Sequence, residues 1–441
     1  MMRLLTLAAG AAALALVHVL PAQAMTIEPI VSPSGIKAWL VREQAVPLVA
    51  LNYAFQGGST QDPAGKSGAA NLVADTLDEG AGELDGKAFH EKMERHAIEL
   101  SFGVGRDTFH GSLRVLNEHR DEAFDLLRLA LSQPRFDADA VERVRAQEMS
   151  GLQRDTTNPN SIAGREWWRT AFPDHPYGLE SKGSVETVPA ITAADLRDYA
   201  RRVFGRDGLT VSIVGDVDAK TAGELIDRAF GALPEKNDLK PVADVKPAGL
   251  GRRIVTEVNV PQAVVTFGSL GIARDDPDFI AGYIDNHILG GGTFSSRLYR
   301  EVREKRGLAY GVSENLVWFK HAALYLGGTA TRADRTAEAL SIIEAETRRM
   351  AEDGPTADEL AAAKDYLKGA YALSLDTSSK IAQQLTQIQL DKLGIDYIQR
   401  RGAMIDGVTL ADAKRVAKRL YGNGMLVTVA GRPKGLASST Q

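Results

Sequence analysis

The chain has 441 residues, of which 44% are hydrophobic and 25% are charged, and this is enough to build two or more domains with their own cores. Its formal net charge of −5 gives no electrostatic basis for binding nucleic acid or an anionic membrane surface, so neither is predicted as a partner. The chain has no cysteine, which excludes disulfides, thiolate zinc sites and cysteine nucleophiles.

The first 24 residues have the pattern of a secretory signal peptide. Arg3 precedes an apolar run over residues 4–20, and Ala22-Gln23-Ala24 supplies small residues at the expected cleavage position. We therefore predict cleavage after Ala24, export, and a periplasmic location in a Gram-negative host. A retained membrane anchor is the alternative, because the 17 residues of the run can just cross a thin bilayer. After cleavage, the sequence predicts no membrane-spanning segment.

The residues after the signal peptide predict an α+β domain over residues 25–233. Strands are predicted at 36–42 and 46–55, and a hairpin at 99–116. Apolar periodicity and glycine or proline breaks predict the other elements: helices at 66–77, 88–95, 118–132, 138–154, 161–171, 193–204 and 220–230, and a strand at 209–214. Residues 234–251 are rich in Pro, Lys and Asp and lack periodicity, so they are interpreted as a linker.

The pattern of the first domain returns in the second half of the chain. The segment at 192–205 recurs 217 positions later at 409–422, and the strand LTVSIVG that follows it recurs as LVTVAG. We therefore predict two homologous α+β domains, each with a mixed or antiparallel sheet that has helices on one face. Together the domains are expected to enclose a cleft, which is a favoured place for a ligand. The second domain is placed at 252–435, and residues 436–441 are its tail.

A glycine-rich and charged stretch, GGGTFSSRLYREVREKRGLAY, occupies residues 290–310 of the second domain. Its spacing predicts a helix that Gly307 ends, followed by a strand that begins at residues 308–312. Arg303 near the helix end and Tyr310 on the strand can then point at one spot. A guanidinium and a phenol aimed together form a pair of donors for a carbonyl or an oxyanion. The alternative is a solvated charged helix followed by a packed tyrosine.

The motifs S-R-L-Y and R-E-K-x-G-L-A-Y in this stretch resemble the second-domain motif of the pitrilysin/insulinase-like zinc peptidases, and the processing-peptidase subfamily in particular. The resemblance extends from about residue 26 to about residue 435. It implies that Arg303 and Tyr310 bind the peptide substrate beside a zinc ion that a first domain carries. It also implies that Gly291 and Gly292 belong to a short glycine-rich loop near the substrate.

The same resemblance directs attention to the metal motif, H-x-x-E-H, of the first domain. In it, two histidines on one helix face bind zinc and the glutamate takes a proton from the metal-bound water. Residues 66–68 align with the segment before that motif, which places it on Asn71-Leu72-Val73-Ala74-Asp75. Asn71 and Asp75 replace the histidines, Ala74 replaces the general base, and Glu148 falls near the third ligand position. The sequence therefore predicts no tight zinc site, although Asp75 and Glu148 leave a weak cation site as an alternative.

No other part of the sequence restores a catalytic motif. The segment from His90 to His96 reads H-E-K-M-E-R-H, which is not a zinc motif, and a solvated amphipathic helix explains it better. His119 has no neighbour in sequence at the spacing of a metal ligand. The sequence also lacks G-x-S-x-G, a P-loop lysine and a dinucleotide-binding fingerprint.

These observations predict half of an active site. We predict that the chain is an exported, non-catalytic subunit of a heterodimeric zinc peptidase. It would supply Arg303 and Tyr310 for peptide substrates, while a homologous partner with an intact H-x-x-E-H motif carries the zinc. The chain itself is predicted to hold no cofactor. The alternatives are a non-enzymatic scaffold or peptide-binding protein of the same fold, and a metal hydrolase whose ligands the sequence does not reveal.

Overall fold

The structure is a computed structural model that describes residues 25–437. The predicted signal peptide therefore lies outside the described residues, as does the end of the predicted tail. Within residues 25–437, no helix is both long and apolar enough to cross a membrane.

The first half of the described chain folds around a six-stranded mixed sheet, in the order β1-β2-β8-β3-β7-β6, with a two-stranded hairpin β4-β5 beside it. Its strands are β1 (Glu28–Val31), β2 (Lys37–Arg42), β3 (Leu48–Gln56), β4 (Gly80–Ala81), β5 (Leu84–Asp85), β6 (Glu99–Val104), β7 (Thr108–Leu116) and β8 (Leu209–Gly215). Its helices are α1 (Ala69–Ala74), α2 (Gly86–Arg95), α3 (Arg120–Ser132), α4 (Ala138–Asp155), α5 (Pro159–Ala171), α6 (Ala193–Val203) and α7 (Ala219–Phe230).

The second half folds around a five-stranded mixed sheet, in the order β11-β12-β10-β13-β9. Its strands are β9 (Arg253–Thr256), β10 (Gln262–Leu270), β11 (Ala309–Trp318), β12 (Ala323–Arg332) and β13 (Leu426–Ala430). Its longer helices are α8 (Phe279–Asn286), α9 (Thr336–Asp353), α10 (Ala357–Leu373), α11 (Ser378–Leu390), α12 (Tyr397–Asp406) and α13 (Leu410–Tyr421). Residues 234–251, which connect the two halves, contain neither helix nor strand.

The two sheets share one topology, which confirms the predicted pair of homologous α+β domains. β8 runs antiparallel to β3 and parallel to β2, and β13 has the same relation to β10 and β9. The helix before each of these strands begins with the same capping box. Thr192 and Asp195 cap α6, and Thr409 and Asp412 cap α13. The repeated sequence segments therefore fold as the same helix-then-strand unit.

Each sheet has helices of its own domain on one face, as predicted, and a helix of the other domain on its opposite face. α5 crosses to the C-terminal sheet, where the buried Trp167 indole donates to the Leu426 carbonyl oxygen at 3.1 Å. α11 crosses to the N-terminal sheet, where the Gln389 amide donates to the Val211 carbonyl oxygen at 3.0 Å. The sequence did not predict this exchange. It joins the domains through two buried interfaces and leaves neither sheet face bare.

The helix on which the sequence placed the degenerate zinc motif is shorter than predicted. α1 spans six residues rather than the predicted 66–77. Gly68 adopts a left-handed φ of 98°, and the Asp62 carboxylate accepts the backbone N–H groups of Gly68 and Ala70 at 2.8 Å each. These contacts hold the chain in a turn until Ala69, and turns follow from Asp75 onward. The other predicted helices and strands are confirmed within a few residues at their ends.

Candidate functional site

A helical segment and the edge strand after it carry Arg303 and Tyr310. The segment consists of an α-helical turn at Arg297–Tyr299 and a π-helical turn at Arg300–Glu304. Gly307 then adopts φ = 59°, which ends the helix as predicted, and β11 begins two residues later. Arg303 therefore lies in the last turn of the helix and Tyr310 near the start of the strand, on the two sides of one sharp reversal of the chain.

The structure brings the side chains of Arg303 and Tyr310 into contact. The guanidinium carbon of Arg303 lies 4.8 Å from the centre of the Tyr310 ring and 5.0 Å from that of Tyr299. These distances are typical of cation–π contacts. Tyr299 was not among the predicted site residues, although its position four residues before Arg303 on a helix is a signal that predicts such a contact. The two rings orient a guanidinium that stays partly accessible to solvent.

The donors of this pair are not used by other described residues. Neither the Arg303 guanidinium nor the Tyr310 hydroxyl has a hydrogen bond or an ion pair within residues 25–437, and Tyr310 is 88% exposed. Its neighbours differ. Arg306 pairs with Glu301 at 2.7 Å, and Arg300 with Glu359 at 3.4 Å. The alternative of a solvated charged helix thus fits Arg300 and Arg306, which form surface ion pairs, but it does not account for Arg303.

The glycines before this segment have a packing reason in the structure. A Cβ at Gly290 would lie 2.6 Å from the Glu314 Cβ, and one at Gly291 would lie 2.9 Å from the Asn286 side-chain oxygen. A Cβ at Gly292 would meet backbone oxygen at 2.7 Å. The loop therefore lies too close to β11 and to its own helix for a larger residue. Substrate binding by Gly291 and Gly292 stays a prediction, since packing alone accounts for glycine at both positions.

A buried acidic residue on β11, Glu314, packs against that loop. The Asn286 amide donates to the Glu314 carboxyl group at 2.7 Å, and the Tyr421 hydroxyl lies 3.0 Å from the same oxygen. Glu314 is fully buried, and burial raises its pKa to about 8. Asp285 beside Asn286 is also fully buried, and burial raises its pKa as well. Glu314 is therefore held mainly as a neutral carboxylic acid at neutral pH, and burial favours the neutral form of Asp285 as well.

The residues at the degenerate zinc motif contact one another. The Asn71 amide donates to the Asp75 carboxylate at 2.7 Å, one helical turn away. Burial and the nearby carboxylate of Glu148 raise the pKa of Asp75 to about 6. The structure thus identifies Glu148, rather than a neighbour on α4, as the residue that faces Asp75.

This constellation does not fit a zinc ion of the kind the motif holds. An amide that donates to its neighbour presents no lone pair to a metal at that atom, and the buried Ala74 has no basic group. Only Asp75 and Glu148 remain as ionisable oxygen donors, and burial and the Glu148 carboxylate raise the pKa of Asp75, which favours its protonated form over the bare carboxylate that binds a metal. Within residues 25–437, no hydrogen bond, ion pair or ring contact joins Asn71 or Asp75 to Arg303 or Tyr310.

Two histidine contacts differ from the sequence interpretation. His96 and His119 meet across 3.2 Å between their Nδ1 atoms, so His119 has a histidine partner that is distant in sequence. His90 lies with Asp78 and Glu79 in the one group of three residues within 25–437 whose ligand atoms all fall within 4.8 Å of one another. Both Glu79 oxygens already accept from Arg143, so a cation there would have to displace a guanidinium.

The sequence and the fold match one family of known proteins. A family model described as insulinase (peptidase family M16) matches residues 40–180, and one described as peptidase M16 inactive domain matches residues 190–367. A Helicobacter pylori protein named non-peptidase homolog YmxG is 27% identical over 336 residues, which cover 76% of this chain and 77% of that protein. A Streptomyces coelicolor protein named as an uncharacterized zinc protease is 27% identical over 423 residues, which cover 94% of this chain and 91% of that protein.

Solved structures agree with that match. The peptidase M16 inactive domain from Pseudomonas fluorescens superposes with a TM-score of 0.87 and 27% identity, covering 94% of this chain and 99% of that one. A protease from Helicobacter pylori shares the fold at a TM-score of 0.83 and 18% identity, covering 92% of this chain and 100% of that one. With the shared topology of the two sheets, these matches establish that the chain belongs to the insulinase family, peptidase family M16, as a member whose first domain lacks the H-x-x-E-H motif.

Proposed function

We propose that this protein is the non-catalytic subunit of an exported heterodimeric zinc peptidase. In this proposal a homologous partner with an intact H-x-x-E-H motif binds the metal, and the present chain binds the peptide through Arg303 and Tyr310. The observation that carries the proposal is the Arg303 guanidinium, which two aromatic rings orient and which no other residue within 25–437 neutralises. A cationic donor kept free in this way is suited to an oxygen that a ligand supplies.

The chemical role follows from these two donors. Peptide hydrolysis places negative charge on the carbonyl oxygen, and a fixed guanidinium and phenol stabilise that charge in the transition state. Contacts with two rings lower the entropic cost of fixing the arginine before the substrate arrives. The pair supplies binding and charge stabilisation, but no nucleophile and no base. A partner is therefore needed for the hydrolytic step.

A peptide-binding scaffold without a peptidase partner is the second candidate. The similarity to a protein named as a non-peptidase homolog favours it, as does the loss of both histidines and the general base at Asn71, Ala74 and Asp75. Both candidates bind peptide, so peptide binding does not separate them. They differ in whether a homologous zinc-binding chain forms a stoichiometric complex with this one.

Reconstitution tests the proposal. The mature chain is co-expressed with each homologous chain of the same organism that has an intact H-x-x-E-H motif, and complexes are isolated by affinity capture followed by gel filtration. The proposal expects a one-to-one complex that cleaves a mixed peptide library, while neither chain alone does so at a comparable rate. A complex without activity, or the absence of any complex with a homologous chain, would favour the scaffold. Detecting the mature protein in the periplasmic fraction tests the proposed export separately.

A further inference from the structure

A cavity of about 480 Å³ lies in the C-terminal domain, next to the glycine loop. Its volume is in the range of small-ligand sites. α8 and α10 form two of its walls, α11 and α12 close it, and Gly291 lies at its edge. Aromatic side chains make up much of the lining: Phe279, Tyr283, Trp318, Tyr366, Tyr371 and Tyr397.

The internal repeat relates this cavity to the degenerate metal motif. A shift of 217 positions carries α4, which bears Glu148, onto α10, and a shift of 214 carries α1 onto the end of α8. The cavity therefore lies beside the C-terminal counterparts of the two helices that carry residues 71–75 and Glu148, but it faces other positions on them, because the shifts carry Asn71, Asp75 and Glu148 onto Asp285, Leu289 and Asp365, which do not line it. Aromatic rings and two guanidinium groups line this cavity. The duplicated fold thus offers a second concave site with a different chemistry.

The cavity has an excess of positive charge. Two arginines and one carboxylate line it: Arg274 lies 3.7 Å from Asp391, whereas Arg401 has no ion pair within residues 25–437. Arg401 is only 7% exposed, and the one hydrogen bond that its guanidinium donates to the described part of the chain goes to the Leu367 carbonyl oxygen at 3.0 Å. Buried charges are normally paired, so a buried guanidinium without a carboxylate indicates a place for an anion.

A second polar group in the cavity also lacks a partner. The Tyr371 hydroxyl is buried and makes no hydrogen bond within residues 25–437, while the Arg401 guanidinium carbon lies 4.2 Å from the centre of the same ring. A buried hydroxyl without a hydrogen-bond partner destabilises the fold unless a ligand accepts a hydrogen bond from it. The Arg401 guanidinium lies over the ring that carries this hydroxyl, so an acceptor bound to Arg401 would lie near it.

We propose that this cavity binds an aromatic residue of a peptide that carries a carboxylate beside the ring, either at the chain end or on the next side chain. The ring would pack among the aromatic walls, and the carboxylate would accept from Arg401 and Tyr371. Tyr366, which stacks on His287 at 4.8 Å between ring centres and is 58% exposed, forms the entrance. The peptide nature of the ligand rests on the proposed function; the aromatic and anionic preference rests on the cavity alone.

The test measures binding to the purified chain without any partner, by ligand-observed NMR titration. N-acetyl-phenylalanine carries the carboxylate at the chain end, and N-acetyl-phenylalanyl-glutamate amide carries it on a side chain. N-acetyl-phenylalanine amide has the ring but no carboxylate. Ligands of this size bind in the millimolar range. At least one acid is expected to bind about tenfold or more tightly than the neutral amide, because charge-assisted hydrogen bonds are lost in the amide.

Variants separate the ring from the charge. Arg401→Gln should remove the difference between acid and amide, and Tyr366→Ala should weaken both. Leu373→Ala is the matched control for Tyr366→Ala. Leu373 lies at the end of α10, the helix that carries Tyr366, but it is 78% exposed and does not line the cavity. If Arg401→Gln does not fold, as judged by circular dichroism, Tyr371→Phe removes only the hydroxyl and should weaken the acid several-fold.

Equal affinity for the acids and the amide would overturn the proposal. So would the absence of binding to the folded wild-type chain at the highest soluble concentration, or wild-type affinity in both Tyr366→Ala and Tyr371→Phe. The readout needs no peptidase activity. Binding here without a functional heterodimer would refute the subunit proposal alone, and an active heterodimer without binding here would refute the cavity proposal alone.

Discussion

The guanidinium carbon of Arg303 lies 4.8 Å from the centre of the Tyr310 ring, and neither side chain has an ion pair or a hydrogen bond within residues 25–437. The helix of Arg303 and the strand of Tyr310 meet at Gly307, so the contact depends on one reversal of the chain. An arginine within cation–π distance of two aromatic rings is restrained in the orientation of its planar group. Its N–H donors remain available at the ring edges.

The first prediction concerns this pair in the reconstituted heterodimer. Arg303→Ala should leave the complex assembled but lower peptidase turnover by about 10²–10³-fold, the usual loss for one oxyanion donor. Arg303→Lys should recover little of the rate, because an ammonium lacks the planar fork. Arg306→Ala is the control, since Arg306 is already paired with Glu301 on the surface and should keep nearly the wild-type rate.

Two substitutions at Tyr310 separate its hydroxyl from its ring. Tyr310→Phe keeps the cation–π contact and removes the donor, whereas Tyr310→Leu removes both. If the hydroxyl donates to the substrate, Tyr310→Phe should cost nearly as much rate as Tyr310→Leu. A rate close to wild type in Tyr310→Phe would assign the residue to holding Arg303 in place. Wild-type rates in both variants and in Arg303→Ala would leave the scaffold as the better account.

The second prediction concerns metal. The purified mature chain, loaded with zinc and then dialysed, should retain well under one equivalent by elemental analysis, because Asn71, Ala74 and Asp75 do not form a zinc site. His90→Ala is the companion variant, since His90 belongs to the group with Asp78 and Glu79. One equivalent of zinc that disappears in His90→Ala would show that this group binds metal and would revive the metal hydrolase alternative.

The third prediction concerns pH. Burial raises the pKa of Glu314 to about 8 from an ordinary value of 4.5, so between these values the folded chain holds a proton that the unfolded chain has released. The free energy of unfolding should therefore fall as the pH rises through this interval, by up to about 1.4 kcal/mol per pH unit from this group.

Urea unfolding of wild type and Glu314→Gln from pH 5 to pH 8.5 measures this dependence, because the variant lacks the titrating group. The wild type should lose stability relative to Glu314→Gln as the pH rises. Glu304→Gln, on the exposed face of the helical segment, controls for the chemical change itself. Parallel profiles for wild type and Glu314→Gln would show that Glu314 is not held neutral in the fold.

The fourth prediction concerns the glycine loop. Gly290→Ala would place a methyl group 2.6 Å from the Glu314 Cβ and 2.8 Å from the Glu314 backbone nitrogen, so it should destabilise the protein by about 1–3 kcal/mol. Gly311→Ala is the matched control, because its Cβ would meet no atom within 4 Å. Thermal unfolding measures both. An unchanged stability in Gly290→Ala would mean that packing does not explain the loop, and substrate contact would then be the better reason for its glycines.

Local signals in the sequence predicted most of the fold. Each copy of the repeat has a helix start marked by a capping box between residues three positions apart, Thr192 with Asp195 and Thr409 with Asp412. The repeat could therefore be identified without knowing the tertiary structure. The contact of Arg303 with Tyr310 could be predicted from the sequence for the same reason, because a single turn of the chain separates the two residues.

What the sequence did not predict depends on long-range packing. Nothing within α5 shows that Trp167 covers the sheet of the other domain, because an amphipathic helix has the same pattern whichever sheet it packs against. His96 and His119 meet only because α2 ends where α3 begins in space. That Arg401 has no ion pair among residues 25–437 depends on all of its spatial neighbours together, and sequence periodicity does not reveal those neighbours.

The exchanged helices also determine the order in which the protein can fold during synthesis. The N-terminal sheet is complete once β8 has been made, yet α11, which covers its outer face, follows only after most of the C-terminal domain. Until then Val41 and Val214 have no covering helix. When the chain emerges with its N-terminus first, at the ribosome or during the proposed export, the first domain can form its own core while this apolar surface stays uncovered. This surface is where a holding chaperone would act, and where early release of the chain would lead to aggregation.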